Sequence, residues 1–313
     1  MANLKELGIS GAWDCHTHSG GVDFFNMFKG NLPYVQSVDD LVEKASNEGI
    51  KNLITCPFPS TSYYDPRERG RASGLQDFPY QVENEALIRS CEYHKDKIFP
   101  FLCIDPGAKQ TEQLERLTAL WDQKKFYGLK LHTLATGSRA TDVLKSGFSD
   151  FIISRGIPLL IHSGISDPYS NPHYALELAR GMPTVRICIA HIGRLDEETV
   201  SQVAAKENLF TDCSPFLQLC DMVRLCSKAV AKPNLVDPED PVASLHRYYE
   251  VLQGHLLWGT DEPWTSIIEA DGSYASRHSY KEEVDLLGRL FQISPKAVVD
   301  MTSKNVETFL FGK

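Results

Sequence analysis

Two histidines that could bind a metal ion stand near the start of the sequence, in the segment DCHTH (residues 14–18). If this segment is a β-strand, His16 and His18 share one face with Asp14, because side chains alternate between the two faces of a strand. Such a strand would aim two imidazoles at one ion. A surface turn with two polar residues is the competing interpretation, so the rest of the chain must decide.

Further side chains that could bind a metal or move a proton end other short apolar runs. Each alone could be a rim residue with a hydrogen bond, a solvated lysine or a turn former. Together with His16 and His18 they favour a metal site, because imidazole and carboxylate are ligands for zinc, manganese and ferrous iron. They are Lys130 and His132 (YGLKLH), His162 (IPLLIH), His191 (VRICIAH) and Asp261 (HLLWGTD).

The elements that must position these side chains are eight apolar, β-branched runs that alternate with helical segments. This alternation predicts a parallel sheet covered on both faces, and eight such units predict a single (β/α)8 TIM barrel over residues 1–313. A doubly wound sheet is the alternative, but no GxGxxG loop follows the first run. Loop insertions are predicted after strands 1 and 2 and before strand 8. The eight runs are residues 11–18, 50–58, 98–105, 127–132, 157–162, 185–191, 208–214 and 255–261.

The position of the polar residues within the barrel follows from this topology. Active sites of TIM barrels lie at the carboxyl ends of the strands, where residues from distant parts of the sequence meet. The histidines, Lys130 and Asp261 all stand at or near the ends of their runs. We therefore expect them to converge at one mouth of the barrel.

The composition of the chain limits the classes of molecule expected to bind it. The chain has 32 Lys and Arg residues against 41 Asp and Glu residues, a formal net charge of −9, and no basic stripe. Nucleic acid and anionic membrane surfaces are therefore not expected as partners. The first residues resemble no secretory signal and no apolar run is long enough to span a membrane, so a cytoplasmic protein is expected. The eight cysteines lack a CxxC spacing and are interpreted as structural thiols.

Six motifs in sequence order resemble the amidohydrolase superfamily, and in particular its amidohydrolase-2 branch of hydrolases and decarboxylases. The resemblance implies a divalent metal, most simply Zn²⁺ with Mn²⁺ or Fe²⁺ as alternatives, held by His16, His18, His162 and Asp261. It further implies that Asp261 is the general base and that His191 donates a proton or stabilises an oxyanion. The motifs are DCHTH, IDPG, GLKLH, PLLIHSG, ICIAHIGR and LLWGTDEPW.

Lys130 is open to two interpretations within this resemblance. In binuclear members a lysine of strand four is carboxylated and bridges two ions. In the amidohydrolase-2 branch the same residue could instead bind a substrate carboxylate, and we include it among the catalytic candidates. One ion is the favoured expectation, and two ions are expected if Lys130 is carboxylated.

The sequence says less about the substrate. Three arginines after strand two, Arg67, Arg69 and Arg71, indicate an anionic small molecule, and Trp264 beside Asp261 could stack on a ring. The first hypothesis is a metal-dependent hydrolase that cleaves a C–N or C–O bond of a small, carboxylate-bearing compound. The alternatives are nonoxidative decarboxylation on the same scaffold and a barrel without catalysis. Such barrels often form homodimers through their outer helices, so a homodimer is also open.

Overall fold

The computed structural model describes residues 4–22, 34–58, 64–65, 70–71, 77–226, 228–231, 234–269 and 273–312. Within these residues, eight parallel strands with helices between them form a nearly closed barrel, and each strand pairs with the next along the chain. The predicted (β/α)8 barrel is confirmed. The strands are β1 (Ala12–Val22), β2 (Ile50–Pro57), β3 (Ile98–Cys103), β4 (Gly128–Leu131), β5 (Leu159–Ile161), β6 (Ile187–Ile189), β7 (Leu209–Asp212) and β8 (Leu256–Leu257).

The barrel closes through backbone hydrogen bonds between β1 and the segment after β8. The amide of Cys15 donates to the carbonyl of Trp258 at 3.0 Å, and the amide of Asp261 donates to the carbonyl of His16 at 2.7 Å. The amide of His18 donates to the carbonyl of Glu262 at 2.8 Å. This seam therefore runs directly beside the predicted metal-binding residues.

Helices cover the outside of the barrel with their apolar faces. The helix Val38–Asn47 shows the pattern: the Ser37 side chain accepts a hydrogen bond from the amide of Asp40, and Leu41 and Ala45 are buried against the barrel. The other helices are Gln81–Cys91, Gln110–Asp122, Thr133–Thr136, Phe148–Arg155, Pro172–Gly181, Glu197–Ala204, Phe216–Leu225, Pro241–Leu252, Tyr280–Ile293, Pro295–Val299 and Asn305–Phe311, with a π-helical turn over Asp300–Lys304.

The insertions carry short strands of their own. Tyr34–Gln36 pairs antiparallel with the end of β1, and Tyr64–Asp65 pairs with Gly70–Arg71 after β2. The helix Pro241–Leu252 begins inside the segment predicted to be a loop before strand 8. A hairpin of Ser266–Ile268 and Tyr274–Arg277 follows β8 and was not predicted. Among the described residues, no helix is both long and apolar enough to cross a membrane.

The interior of the barrel is filled by apolar side chains from several strands and from the last helix. Phe101 and Phe210 meet Phe309 of the helix Asn305–Phe311, with ring centroids 6.0 and 5.5 Å apart. The Nε of Arg186 donates to the carbonyl of Phe309 at 2.6 Å and fixes this helix to the barrel. All eight cysteines are free thiols, and seven of them are buried, in agreement with their predicted structural role.

Gly128 tests how tightly this interior is packed. A Cβ atom at Gly128 would lie 2.3 Å from the ring of Phe101, far inside van der Waals contact. We expect Gly128→Ala to lower the free energy of unfolding by about 1–3 kcal/mol, because the ring must move within a filled core. Gly254→Ala is the control, since a Cβ atom there meets nothing within 4 Å. Equal melting temperatures for the two variants would contradict the packing.

Candidate active site

Three of the predicted metal ligands come together at the seam of the barrel. The Nε2 atoms of His16 and His18 lie 3.3 and 3.1 Å from the same Oδ1 atom of Asp261. All three residues are buried, and their donor atoms form one group able to hold a metal ion. His16 and His18 share a face of β1, as alternation predicts, whereas Asp261 lies beyond the end of β8 with a left-handed φ of 55°.

Asp212, at the end of β7, fixes the orientation of His16. Its Oδ2 lies 3.1 Å from Nδ1 of His16, while its Oδ1 accepts hydrogen bonds from the amide of His191 and from the hydroxyl and amide of Ser214. Although burial raises the pKa of Asp212, the neighbouring His16 and these hydrogen bonds hold it below its ordinary value. An ionised Asp212 accepts the Nδ1 proton of His16, so Nε2 of His16 carries the lone pair that a metal needs.

The donor set fits a divalent ion. A tetrahedral ion with bonds of 2.0–2.1 Å places neighbouring donor atoms about 3.3 Å apart, close to the separations between Asp261 and the two histidines. Burial lowers the pKa of His16, and the charge of Lys130 lowers it further. The same two causes hold the pKa of His18 well below its ordinary value, so both rings are neutral, as metal binding requires.

His191 and His162 form the other half of the cluster. His191 Nε2 lies 3.9 Å from Oδ2 of Asp261 and 3.2 Å from Nδ1 of His162. His191 also joins His16 and Asp212 in a second group of closely spaced donor atoms, while His162 belongs to neither group among the described residues. The ring of His132 stacks on that of His162 at 4.5 Å. The role of His162 as a metal ligand stays a prediction.

Lys130 lies within β4 and is completely buried. Its Nζ is 2.8 Å from Nε2 of His16, and among the described residues it forms no ion pair with a carboxylate. The lysine thus reaches the donor atoms of the candidate metal site, as expected of a residue at the end of strand four. Its carboxylation and its role in the reaction stay predictions.

The hydrogen bonds decide which nitrogen of His191 carries a proton. Nδ1 lies 2.5 Å from the carbonyl oxygen of Ser214, which can only accept, so Nδ1 is the protonated nitrogen. Burial, together with the charge of Arg194, holds the pKa of His191 well below its ordinary value. A neutral His191 therefore presents an unprotonated Nε2 toward His162 and Asp261.

The pKa of Asp261 is shifted upward, whereas that of His191 is lowered. Burial raises the pKa of Asp261 to about 6, against the opposing effect of His16 and Lys130. The group is therefore mostly ionised at neutral pH, yet basic enough to hold a proton briefly. This combination suits both a metal ligand and a general base.

An irregular backbone positions His191 and the four residues after it. His191, Ile192, Gly193, Arg194 and Leu195 all have left-handed φ angles, between 51° and 66°. Each residue with a side chain in this conformation costs about 1–2 kcal/mol, so the surrounding contacts must hold the turn. A side chain at Gly193 would collide with Thr199, 2.5 Å from its Cγ2 atom.

Several residues of the site were not predicted from the sequence. Asp212 stands two residues before the end of the run NLFTDCS, so the rule that found Asp261 and His191 could have found it, whereas Ser214 and Arg194 gave no signal of this kind. Asp14, which we expected on the same face as His16 and His18, belongs to neither donor group among the described residues; β1 has a register shift between Asp14 and Thr17, and Asp14 accepts hydrogen bonds from the amide and hydroxyl of Thr260. Of the three arginines expected near the substrate, Arg67 and Arg69 lie outside the described residues, and so does the side chain of Arg71.

A family model described as Amidohydrolase matches residues 61–281, more than half of the chain. The chain belongs to the amidohydrolase family. Its members are metal-dependent enzymes, in agreement with the donor groups formed by His16, His18 and Asp261 and by His16, His191 and Asp212. The match begins after β1, so His16 and His18 themselves are placed by the structure rather than by the family model.

Solved structures of hydrolases and decarboxylases share the fold of this chain. At identities of 11–15% the likeness concerns the fold alone, and a search of curated proteins found no match. The similar structures include a probable 2-pyrone-4,6-dicarboxylic acid hydrolase from Acinetobacter baumannii (15% identity, 97% of this chain and 100% of the other, TM-score 0.60), 2,6-dihydroxybenzoate decarboxylase from Rhizobium (13%, 96% and 99%, 0.62) and 5-carboxyvanillate decarboxylase from Sphingomonas paucimobilis (11%, 96% and 99%, 0.61).

Asp212 provides the first test of the site. We expect Asp212→Asn to weaken metal binding by about 10–100-fold, because the carboxylate that orients His16 is lost. The apparent Kd is measured by competition with a chromophoric chelator. Asp221→Asn is the matched control, since Asp221 also binds a histidine, His278, at 2.7 Å but away from the site. An unchanged Kd for Asp212→Asn would contradict the assigned orientation of His16.

Glu283 supports the loop after β7 from outside the barrel. Its Oε1 accepts a hydrogen bond from the amide of Leu217 at 3.0 Å, at the start of the helix Phe216–Leu225. Burial, together with the smaller effect of the negative charges of Asp14 and Glu282, raises the pKa of Glu283 to about 8, although hydrogen bonds from the backbone of Leu217 and Phe216 lower it. The group is therefore protonated in the folded protein at neutral pH, while it is ionised in the unfolded chain.

This difference makes stability depend on pH. Because the folded pKa is raised, the stability from Glu283 is full below about pH 4.5 and is lost as the pH rises toward 8. Each pH unit in this window is worth about 1.4 kcal/mol, so we expect the wild type to lose about 2 kcal/mol more than Glu283→Gln between pH 6 and 8. Urea unfolding at both pH values measures this, with exposed Glu115→Gln as control. Parallel pH profiles for wild type and Glu283→Gln would contradict it.

Proposed function

We propose that this protein is a metal-dependent hydrolase that cleaves a C–N or C–O bond of a small, carboxylate-bearing organic compound. The observation that carries the proposal is the convergence of two neutral imidazoles and the Asp261 carboxylate at one point of the barrel mouth. The hydrogen bond between Asp212 and Nδ1 of His16 supports the proposal, because this bond leaves Nε2 of His16 free to bind an ion.

Zinc is the ion that the ligand types favour, with manganese and ferrous iron as alternatives. His16, His18 and Asp261 would hold it, and we assign His162 as a further ligand. A divalent ion bound here lowers the pKa of a coordinated water from 15.7 to about 7 and polarises a carbonyl group. The number of ions depends on Lys130, and one ion is proposed for an uncarboxylated lysine.

The side chains divide the proton transfers between them. Asp261 turns Oδ1 toward the two histidines of β1, while Oδ2 lies toward His191 and is the atom that would take a proton from the attacking water. His191 presents an unprotonated Nε2, so it can supply a proton to the leaving group only after it has accepted one at that atom. Lys130, beside His16, would balance negative charge that develops on the substrate.

Metal analysis tests the ligands. We expect about one ion per chain in wild-type protein purified without chelator or affinity-metal carry-over, measured by inductively coupled plasma mass spectrometry. His16→Ala should lose the ion and activity together, whereas Asp261→Asn should abolish turnover and retain part of the metal. His94→Ala is the control, because His94 pairs with Asp39 at the surface. A wild type that holds no metal and regains none on incubation with Zn²⁺, Mn²⁺ or Fe²⁺ would overturn the proposal.

Decarboxylation on the same scaffold is the competing reaction, and product analysis separates the two. Hydrolysis adds the mass of one water to the products and releases no carbon dioxide, whereas nonoxidative decarboxylation releases one carbon dioxide per turnover. A panel of lactone dicarboxylates, carboxylated amides and hydroxybenzoates, followed by mass spectrometry and by a coupled carbon dioxide assay, reads both outcomes. Carbon dioxide release that depends on Asp261 would overturn the hydrolase proposal and identify the reaction as decarboxylation.

A further inference from the structure

A half-buried arginine near the candidate site has no carboxylate within ion-pair distance among the described residues, although the charges of Asp261, Asp167 and Asp212 act on it from farther away. Arg194 donates from Nε to the carbonyl of Ser163 at 3.0 Å and from Nη1 to the sulfur of Met222 at 3.2 Å. Within the described part of the chain, Arg194 forms no ion pair. A guanidinium has five N–H donors, and a thioether sulfur is a weak acceptor, so most of its capacity for strong hydrogen bonds is unused.

The backbone places Arg194 close to two histidines of the site. Arg194 is the third residue after His191 in the left-handed turn, and its amide donates to the carbonyl of His191 at 2.8 Å. Its carbonyl partner, Ser163, directly follows His162 at the end of β5. The charge of Arg194 contributes to lowering the pKa of both His191 and His162, after the larger effect of burial, which agrees with this placement.

Burying the positive charge of Arg194 costs free energy unless a negative charge or strong hydrogen bonds compensate it. Ion pairing normally accompanies the burial of an arginine, and here a backbone carbonyl and a sulfur atom stand in that place. The strained turn from His191 to Leu195 holds the residue there at a further cost in free energy. A planar anion that arrives with the substrate would give the guanidinium a partner at hydrogen-bond distance, since a guanidinium matches a carboxylate with two parallel hydrogen bonds.

We propose that Arg194 binds a carboxylate group of the substrate at the mouth of the barrel and thereby selects anionic substrates. This inference rests on the proposed function of the site. It makes Arg194 a specificity-determining residue: the metal ligands and Asp261 act on the reacting bond, while Arg194 holds a carboxylate that does not react.

Two probes that differ only in the carboxylate test the proposal. The wild type, Arg194→Gln and Arg194→Lys are titrated with 2,6-dihydroxybenzoate and with 1,3-dihydroxybenzene, its neutral counterpart, by isothermal titration calorimetry. We expect Arg194→Gln to bind the carboxylate about 10–100-fold more weakly and the neutral compound unchanged. Arg194→Lys should lie between them, because an ammonium keeps the charge but loses the planar fork. Arg89→Gln, at an exposed arginine paired with Glu85, is the control for loss of one positive charge.

The failures of the two proposals are distinguishable in the same samples. Metal content is measured for each variant: Arg194→Gln that keeps its metal and loses only carboxylate binding supports the inference. Carboxylate binding that depends on Arg194 in a protein without metal would leave the inference standing while the proposed function fails. Equal affinity of wild type and Arg194→Gln for 2,6-dihydroxybenzoate, or no binding of it by the wild type, would overturn the inference.

A measurement on the wild type covers the case in which Arg194→Gln does not fold, as judged by circular dichroism. Phenylglyoxal modifies arginines whose guanidinium is reachable and unpaired, and peptide mass spectrometry reports the rate at Arg194. We expect 2,6-dihydroxybenzoate to slow this modification at least fivefold, while 1,3-dihydroxybenzene does not. Equal rates with and without the carboxylate would overturn the inference.

Discussion

The backbone seam between β1 and the segment after β8 is the constraint on which the site depends. The amide of Asp261 binds the carbonyl of His16, and the amide of His18 binds the carbonyl of Glu262. The same hydrogen bonds that close the barrel therefore set the distance between the two histidines and the carboxylate. Residues that are 245 positions apart, His16 and Asp261, become neighbours because the first and last strands of a barrel must meet.

The electrostatics of the site depend on that closure. The barrel mouth buries three histidines, a lysine and two aspartates close to one another, and burial favours the neutral imidazoles. Asp212 keeps its charge because several donors surround it, whereas Asp261 has fewer and its pKa rises to about 6. Two carboxylates at neighbouring strand ends thus acquire different properties: Asp212 is a fixed acceptor and Asp261 is able to exchange a proton.

Left-handed backbone conformations occur in two segments of the candidate site. Asp261 and the turn from His191 to Leu195 all have positive φ angles, and only Gly193 among them lacks a side chain. Contacts elsewhere hold these residues in place: the amide of His191 donates to Asp212, and the amide of Ala231 donates to the carbonyl of Arg194. Within this turn, Nε2 of His191 lies 3.2 Å from Nδ1 of His162, and Nε of Arg194 donates to the carbonyl of Ser163 at 3.0 Å.

Much of the fold could be predicted from local patterns. Apolar β-branched runs and helical periodicity predict the eight strands and their helices, because each element must bury one face or stripe. The polar residues at the strand ends could also be found, since the topology of a parallel barrel brings those ends together. The hairpin after β8 was not predicted, because the segments Ser266–Ile268 and Tyr274–Arg277 are short, partly exposed strands with a weak pattern.

The order and types of the residues were sufficient to predict the barrel, the pair His16 and His18, and the approach of Lys130, His162, His191 and Asp261 to that pair. Which of those groups contact one another depends on the folded chain. His16 and His18 meet Asp261, His162 contacts His191, and Asp212 orients His16. Arg194, without a paired carboxylate among the described residues, is also a result of the tertiary structure. The physical reason is that hydrogen-bond partners, burial and pKa depend on atoms from strands far apart in the chain, which no local pattern records.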